Sequence, residues 1–286
     1  MPELAYLEDR VLEQSFTGKQ HIVRLWEARK PRAVILAIHG GMAHSGDYAT
    51  VGDYFRPHEV TTISFDLSGH GRQSRIDIPH FDVFLEDVKC MLDWTTAHYS
   101  DLPIVLMGHS MGALIATHME LSGQLGAYPV SGIVLSSPYY ANAIPVPPLM
   151  IRLSSLLATL FPTAKVPMEP VTHWLTHDTA ITARHFEDEK TQRRGTEVSF
   201  RFGRALLDAQ AALNQDLSCW QHPVFAVIAG SDHLADAEIT RKMLQSVPSG
   251  LLDLHYFPDN FHENFNEMNR EDIFSALWNW IQLRLN

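Results

Sequence analysis

Short apolar runs recur along the chain with helical patterns between them, and this alternation limits the fold more than any other feature. The runs are Ala33 to Ile38, Val60 to Phe65, Ile104 to Met107, Gly132 to Leu135, Val224 to Ile228 and Leu251 to Phe257. Several are apolar at every position rather than at alternate ones, which suits strands covered on both faces. Between them Phe81, Phe84, Leu85, Val88, Met91 and Leu92 recur at helical spacing, as do Ile273, Phe274, Leu277, Trp280 and Ile281. Strands separated by helices join in parallel through right-handed crossovers. Arg10 to Phe16 and His21 to Ala28, with a turn at Thr17-Gly18-Lys19, read as an antiparallel pair opening the sheet. The expected fold is α/β: a mostly parallel eight-stranded sheet flanked by helices.

One stretch breaks the rhythm. Residues 139–196 show no convincing strand. They begin with Pro145, Pro147 and Pro148, continue through an apolar helical run from Leu149 to Phe161, pass Pro162, Pro167 and Pro170, and reach a more polar helical pattern from Thr179 to Lys190. This reads as a helical cap inserted at 139–196 into a core made of 1–138 and 197–286. A helix from Phe202 to Leu217 then resumes the main pattern.

The net charge of −11 argues against a nucleic-acid partner, and the basic pairs Arg193-Arg194 and Arg241-Lys242 are isolated. Cys90 and Cys219, the two cysteines, read as free core or near-core thiols rather than a disulfide framework. The acidic N-terminus lacks a signal pattern, and no apolar run approaches the roughly 20 residues that span a bilayer. A soluble, cytoplasmic protein is expected.

Gly108-His109-Ser110-Met111-Gly112 lies between the run ending at Met107 and a helical stretch starting near Met111. Strand, tight turn and helix are the setting of a nucleophile elbow, in which the glycines allow a sharp turn and the serine hydroxyl projects from the C-terminal edge of the sheet. A serine hydroxyl is a weak nucleophile and needs a base. In sheets with such an elbow the acid and then the base follow in chain order. His262 lies after the last strand and before the last helix, whereas His255 sits inside the strand run and reads as structural. Asp232, in Gly230-Ser231-Asp232, closes the preceding strand; Asp236 competes with it but lies in the following helical segment. His262 would take the Ser110 proton and return it to the leaving group, with Asp232 orienting the imidazole.

The oxyanion of an acyl-transfer intermediate needs donors. The N–H of Met111 stands at a helix N-terminus, where the dipole favours negative charge. A second N–H is expected from Gly41, in His39-Gly40-Gly41-Met42 after the first parallel run. Asp66 to Gly71 reads as a structural loop built of turn residues. The sixteen histidines include no His-Glu-x-x-His or Cys/His spacing for zinc, and no Gly-x-Gly-x-x-Gly follows the first strand, so no metal and no cofactor is expected.

His39-Gly40-Gly41, His44-Ser45-Gly46-Asp47-Tyr48, Gly69-His70-Gly71, the elbow, Gly230-Ser231-Asp232 and His262-Glu263-Asn264-Phe265-Asn266-Glu267 together resemble the monoacylglycerol lipase and lysophospholipase family of α/β-hydrolases over nearly the whole chain. The resemblance implies the α/β-hydrolase fold, a triad of Ser110, Asp232 and His262, an oxyanion N–H at Gly41, and a cap that admits an acyl chain. The family often carries Glu where Ala43 stands, Arg where Asp47 stands and Arg where Ser68 stands, which bears on substrate rather than on the chemistry.

Leu149, Leu153, Leu156 and Leu157 in the cap are candidate acyl-binding residues, and the same dense apolar stretch could touch a membrane or micelle or pack on the core. The expected activity is hydrolysis of monoacylglycerol, lysophospholipid or simple acyl esters through an acyl-enzyme. A peptidase or amidase would need a carboxylate for a substrate amine, for which Glu169 and Glu187 are candidates. A non-catalytic receptor on the same fold is the third reading.

Overall fold

The computed structural model describes residues 10–16, 19–71, 76–144, 146–168, 171–213 and 216–285. The chain order is β1 (Arg10–Phe16), β2 (Lys19–Trp26), β3 (Ala33–Ile38), α1 (Ala49–Phe55), β4 (Val60–Phe65), α2 (Asp82–His98), β5 (Ile104–His109), α3 (Met111–Leu121) and β6 (Val130–Ser136). It continues with α4 (Pro148–Leu160), β7 (Lys165–Pro167), α5 (Thr179–Lys190), β8 (Glu197–Ser199), α6 (Phe200–Ala212), β9 (Val224–Ala229), α7 (Ala237–Leu244), β10 (Leu252–Phe257) and α8 (Arg270–Gln282).

The main sheet has eight strands in the order β1-β2-β4-β3-β5-β6-β9-β10. β1, β2 and β4 pair antiparallel and every later pair is parallel. The turn expected at 17–18 lies outside the described residues. The apolar runs have a direct cause: successive side chains of β3 enter different cores. Val34, Leu36 and Ile38 join Phe84 of α2, Leu114 of α3 and Phe202 of α6. Ile35 and Ala37 join Phe55 of α1 and Phe274 and Leu277 of α8. A strand buried on both sides has no polar face to alternate with.

Residues 139–196 do contain a strand. β7 pairs antiparallel with β8, Lys165 opposite Ser199 and Pro167 opposite Glu197. Its three residues, one of them proline, carry too little pattern to be read as a strand from sequence. This pairing ties residues 197–199 to the stretch expected to form a cap. α6 starts at Phe200 and ends at Ala212, earlier at both ends than expected. Both cysteines are free, but Cys219 is exposed rather than near the core. No described helix is long and apolar enough to cross a membrane.

Candidate active site

Ser110 is the single residue between the end of β5 and the start of α3, and its backbone sits at φ 54°, ψ −117°. A non-glycine residue held there stores roughly 1–3 kcal/mol of strain. The surroundings impose it. The Ser110 N–H donates to Ser136 O at 2.9 Å, and its carbonyl accepts from Ala113, Leu114 and Tyr139 N–H. A Cβ on Gly108 would lie 2.4 Å from Gly112 O, and one on Gly112 would lie 2.0 Å from Ile38 O. Strand, helix and β3 therefore approach closely enough to require both glycines.

His262 and Asp232 come from the loops after β10 and β9. His262 Nδ1 lies 2.7 Å from Asp232 Oδ2, with both side chains almost fully buried. Asp232 Oδ1 accepts the Leu234 and Ala235 N–H groups at 2.8 and 3.0 Å. Burial pushes the Asp232 carboxyl up, but His262 and these donors hold it below its ordinary value. An ionised Asp232 makes Nδ1 the donor, which leaves a lone pair on Nε2. Nε2 is buried and has no hydrogen-bond partner among the described residues. His262 and Ser110 line one cavity. His109 packs edge-on to His262 at 4.7 Å, and burial, reinforced by His262, lowers it to about 4.

The competing candidates have other tasks. Asp236 caps α7, accepting the Ile239 N–H at 2.8 Å. His255 lies in β10 against the Phe225 ring. The loop after β3 packs on the elbow: a Cβ on Gly40 would sit 3.3 Å from Ser110 Cβ, and one on Gly41 3.7 Å from Met111 Sδ. Met111 opens α3, so its N–H has no intrahelical acceptor. Asp66 Oδ1 accepts the Ser45 N–H and hydroxyl, and a Cβ on Gly71 would strike Asp66, so Asp66 to Gly71 is tied into the fold.

The cavity has a volume of about 130 Å³. Its apolar wall is Met42, Met168, Val171, Leu175 and Leu234, and its polar wall includes Thr172, Glu189, Arg194 and Glu263. The expected acyl-binding leucines are not in that wall. Leu149, Leu153 and Leu156 are exposed on α4 and Leu157 is half-buried. α4 is apolar on several faces, and periodicity cannot choose which one turns inward. Glu187 is exposed; Glu189 lines the cavity, and its Oε1 accepts from the Thr172 hydroxyl. Glu169 lies outside the described residues.

Behind the cavity, His44, Asp47 and Asp188 bring a nitrogen and two carboxylate oxygens within 4.8 Å of one another. Their side chains are engaged with one another and with Arg194, although Asp47 Oδ1 has no hydrogen-bond partner among the described residues. His44 Nδ1 accepts the Gly46 N–H, so Nε2 carries the proton and faces Asp188 Oδ2 at 3.1 Å, while Arg194 pairs with Asp47 at 2.6 Å. Arg194, Thr172 and Glu189 line the cavity, and His185 contacts Arg194 behind it; none belongs to a local motif, and sequence spacing carries no signal for them.

Residues 29–269 match the family model described as "Serine aminopeptidase, S33". The chain belongs to this family. The hydrolase is 30% identical to Phospholipase YtpA of Bacillus subtilis (strain 168) over 254 residues, 88% of this chain and 95% of that protein. It is 26% identical to the monoacylglycerol lipase of Mycolicibacterium smegmatis (strain ATCC 700084 / mc(2)155) over 278 residues, 94% and 96% of the two chains. A soluble variant of monoglyceride lipase from Saccharomyces cerevisiae, solved with a substrate analog, superposes with a TM-score of 0.83 over 96% of this chain and 95% of that one. At 20% identity that likeness speaks for the fold. The hydrolase is thus an α/β-hydrolase of the monoacylglycerol lipase and phospholipase type, a serine hydrolase in class.

Proposed function

We propose that the hydrolase cleaves acyl esters of monoacylglycerol or lysophospholipid type through an acyl-enzyme on Ser110. The observation carrying this reading is the buried, unpartnered Nε2 of His262 on the cavity it shares with Ser110, its other nitrogen held by Asp232. Ser110 Oγ attacks the acyl carbonyl and His262 takes its proton. Asp232 stabilises the imidazolium, and the N–H groups of Gly41 and Met111 receive the oxyanion. The alcohol leaves with the proton from His262, and water repeats the sequence on the acyl-enzyme.

The cavity is small beside the roughly 300–1,000 Å³ of typical ligand pockets. It encloses a short acyl group as it stands. Ile144, Leu149, Leu160 and Phe161 form an exposed apolar face on and beside α4, which supports the cap as the surface that meets a membrane or micelle.

Glu189 favours a second reading. Its Oε2 makes no hydrogen bond among the described residues and would accept from a substrate ammonium, as an aminopeptidase requires. Hydrolysis of p-nitrophenyl esters from acetate to palmitate, beside aminoacyl p-nitroanilides, by wild type and Ser110→Ala tests both. Ester turnover lost in the variant supports the ester reading. Turnover confined to the anilides supports the peptidase, and ester turnover surviving Ser110→Ala refutes the nucleophile.

A further inference from the structure

The cap segment Arg194-Gly195 touches both loops on which this chemistry depends. Through the main chain, the Gly195 N–H donates to Met42 O at 2.8 Å, one residue beyond Gly41. A Cβ on Gly195 would lie 2.5 Å from Ile76 Cγ1, so glycine lets the segment press down there. Through the side chain, Arg194 Nη2 lies 2.6 Å from Asp47 Oδ2 and donates to His185 Nδ1 at 3.0 Å. Since Nδ1 accepts, the His185 proton sits on Nε2, which donates to Glu263 Oε2 at 2.8 Å. Glu263 directly follows His262, and Arg194 also faces its other oxygen at 3.6 Å. All four side chains are more than nine-tenths buried.

We propose that Arg194 is a positioning residue, part of a strap from the cap that holds the His262 loop through Glu263 and the Gly41 loop through Met42. The inference rests on the Ser110–His262–Asp232 reading above and makes the catalytic site complete only when the cap is docked. The charges agree with it. Burial raises the Asp47 and Glu263 carboxyls, yet the charge of Arg194 holds Asp47, and the hydrogen bond from His185 with the charge of Arg194 holds Glu263, well below the usual carboxylate range. The cation facing Asp47 is Arg194, 147 residues further along the chain. A buried ion pair loses its compensation when one partner is removed, so Arg194 cannot be lost without disturbing what Asp47 and Glu263 hold.

A different role for Arg194 is binding a substrate head group, since its Nε is buried on the cavity wall without a partner among the described residues. Phosphonylation of Ser110 by a small alkyl fluorophosphonate separates the two. The reagent has no head group: Ser110 Oγ attacks phosphorus, fluoride leaves, and the hydroxyl proton passes to His262. Arg194→Met and Asp47→Asn/Arg194→Met are expected to slow phosphonylation about 10- to 100-fold, the scale of a small misplacement of catalytic groups. The kcat for p-nitrophenyl acetate should fall in step with little change in KM, and Arg194→Lys should recover most of the loss. Wild-type phosphonylation rates in variants with native near-UV circular dichroism would overturn the proposal. If Arg194→Met does not fold, the double variant, whose residue 47 is uncharged, gives the same decision. Failure of the wild type itself to label at Ser110 would instead sink the triad reading.

Discussion

Asp232→Asn is the sharpest test of the triad, because the surrounding donors decide how the amide must sit. Asp232 Oδ1 accepts two main-chain N–H groups, from Leu234 and Ala235, while Oδ2 faces His262 Nδ1. An asparagine that kept its oxygen toward His262 would point its NH2 at two donors and lose both bonds, at about 1 kcal/mol net each or more. The amide therefore keeps its oxygen on Leu234 and Ala235 and presents NH2 to the imidazole. Nδ1 must then accept, the proton moves to Nε2, and the nitrogen facing the shared cavity can no longer take the serine proton. A wrong-tautomer change of this kind in the serine-protease triad costs about 10⁴ in kcat, roughly 5.5 kcal/mol at about 1.36 kcal/mol per tenfold. The assay is steady-state hydrolysis of p-nitrophenyl butyrate at pH 7.5, with urea unfolding as the control for stability. A folded variant that keeps a tenth or more of wild-type kcat would refute the assignment of Asp232.

Two further outcomes follow from the cap and the core. Leu156→Asp/Leu160→Asp on the exposed face of α4 should lower turnover of micellar long-chain monoacylglycerol about 10-fold or more, since burying a leucine contributes about 1.5–3 kcal/mol. Hydrolysis of p-nitrophenyl acetate should hardly change, and equal micellar turnover would refute lipid contact through this face. Burial holds His39, His70 and His109 at about 4, about 3 and about 4, below the 6.5 of the unfolded chain. The unfolded state thus binds more protons between pH 6.5 and 4, and stability is full above 6.5 and falls as pH drops through that window. The slope approaches about 4 kcal/mol per pH unit if all three titrate together, about 1.4 for each. A urea midpoint unchanged between pH 7 and pH 5 would contradict the assignment.

The sheet was legible because parallel strands announce themselves: β3 and β9 are buried at every position and so contain no polar residue to blur the run. The positions of Ser110, Asp232 and His262 could be expected for a related reason, since each follows a strand and the C-terminal edge of the sheet brings those ends together, as the Asp232–His262 contact shows. The cap was not. Its α4 run carries apolar residues on more than one face, and of the four leucines expected at the acyl site Leu149, Leu153 and Leu156 are exposed. The contacts of Arg194 with Asp47 and of His185 with Glu263 join positions 147 and 78 residues apart, and no local spacing encodes such a meeting.

The pairing of Arg194 with Asp47 and Glu263 also makes distant parts of the chain interdependent in any exchange of segments. Replacing residues 139–196 by a stretch without a cation at position 194 would leave Asp47 and Glu263 buried and uncompensated. An uncompensated buried charge costs about 3–5 kcal/mol, a large share of a domain's stability. A replacement for this stretch therefore has to bring its own cation.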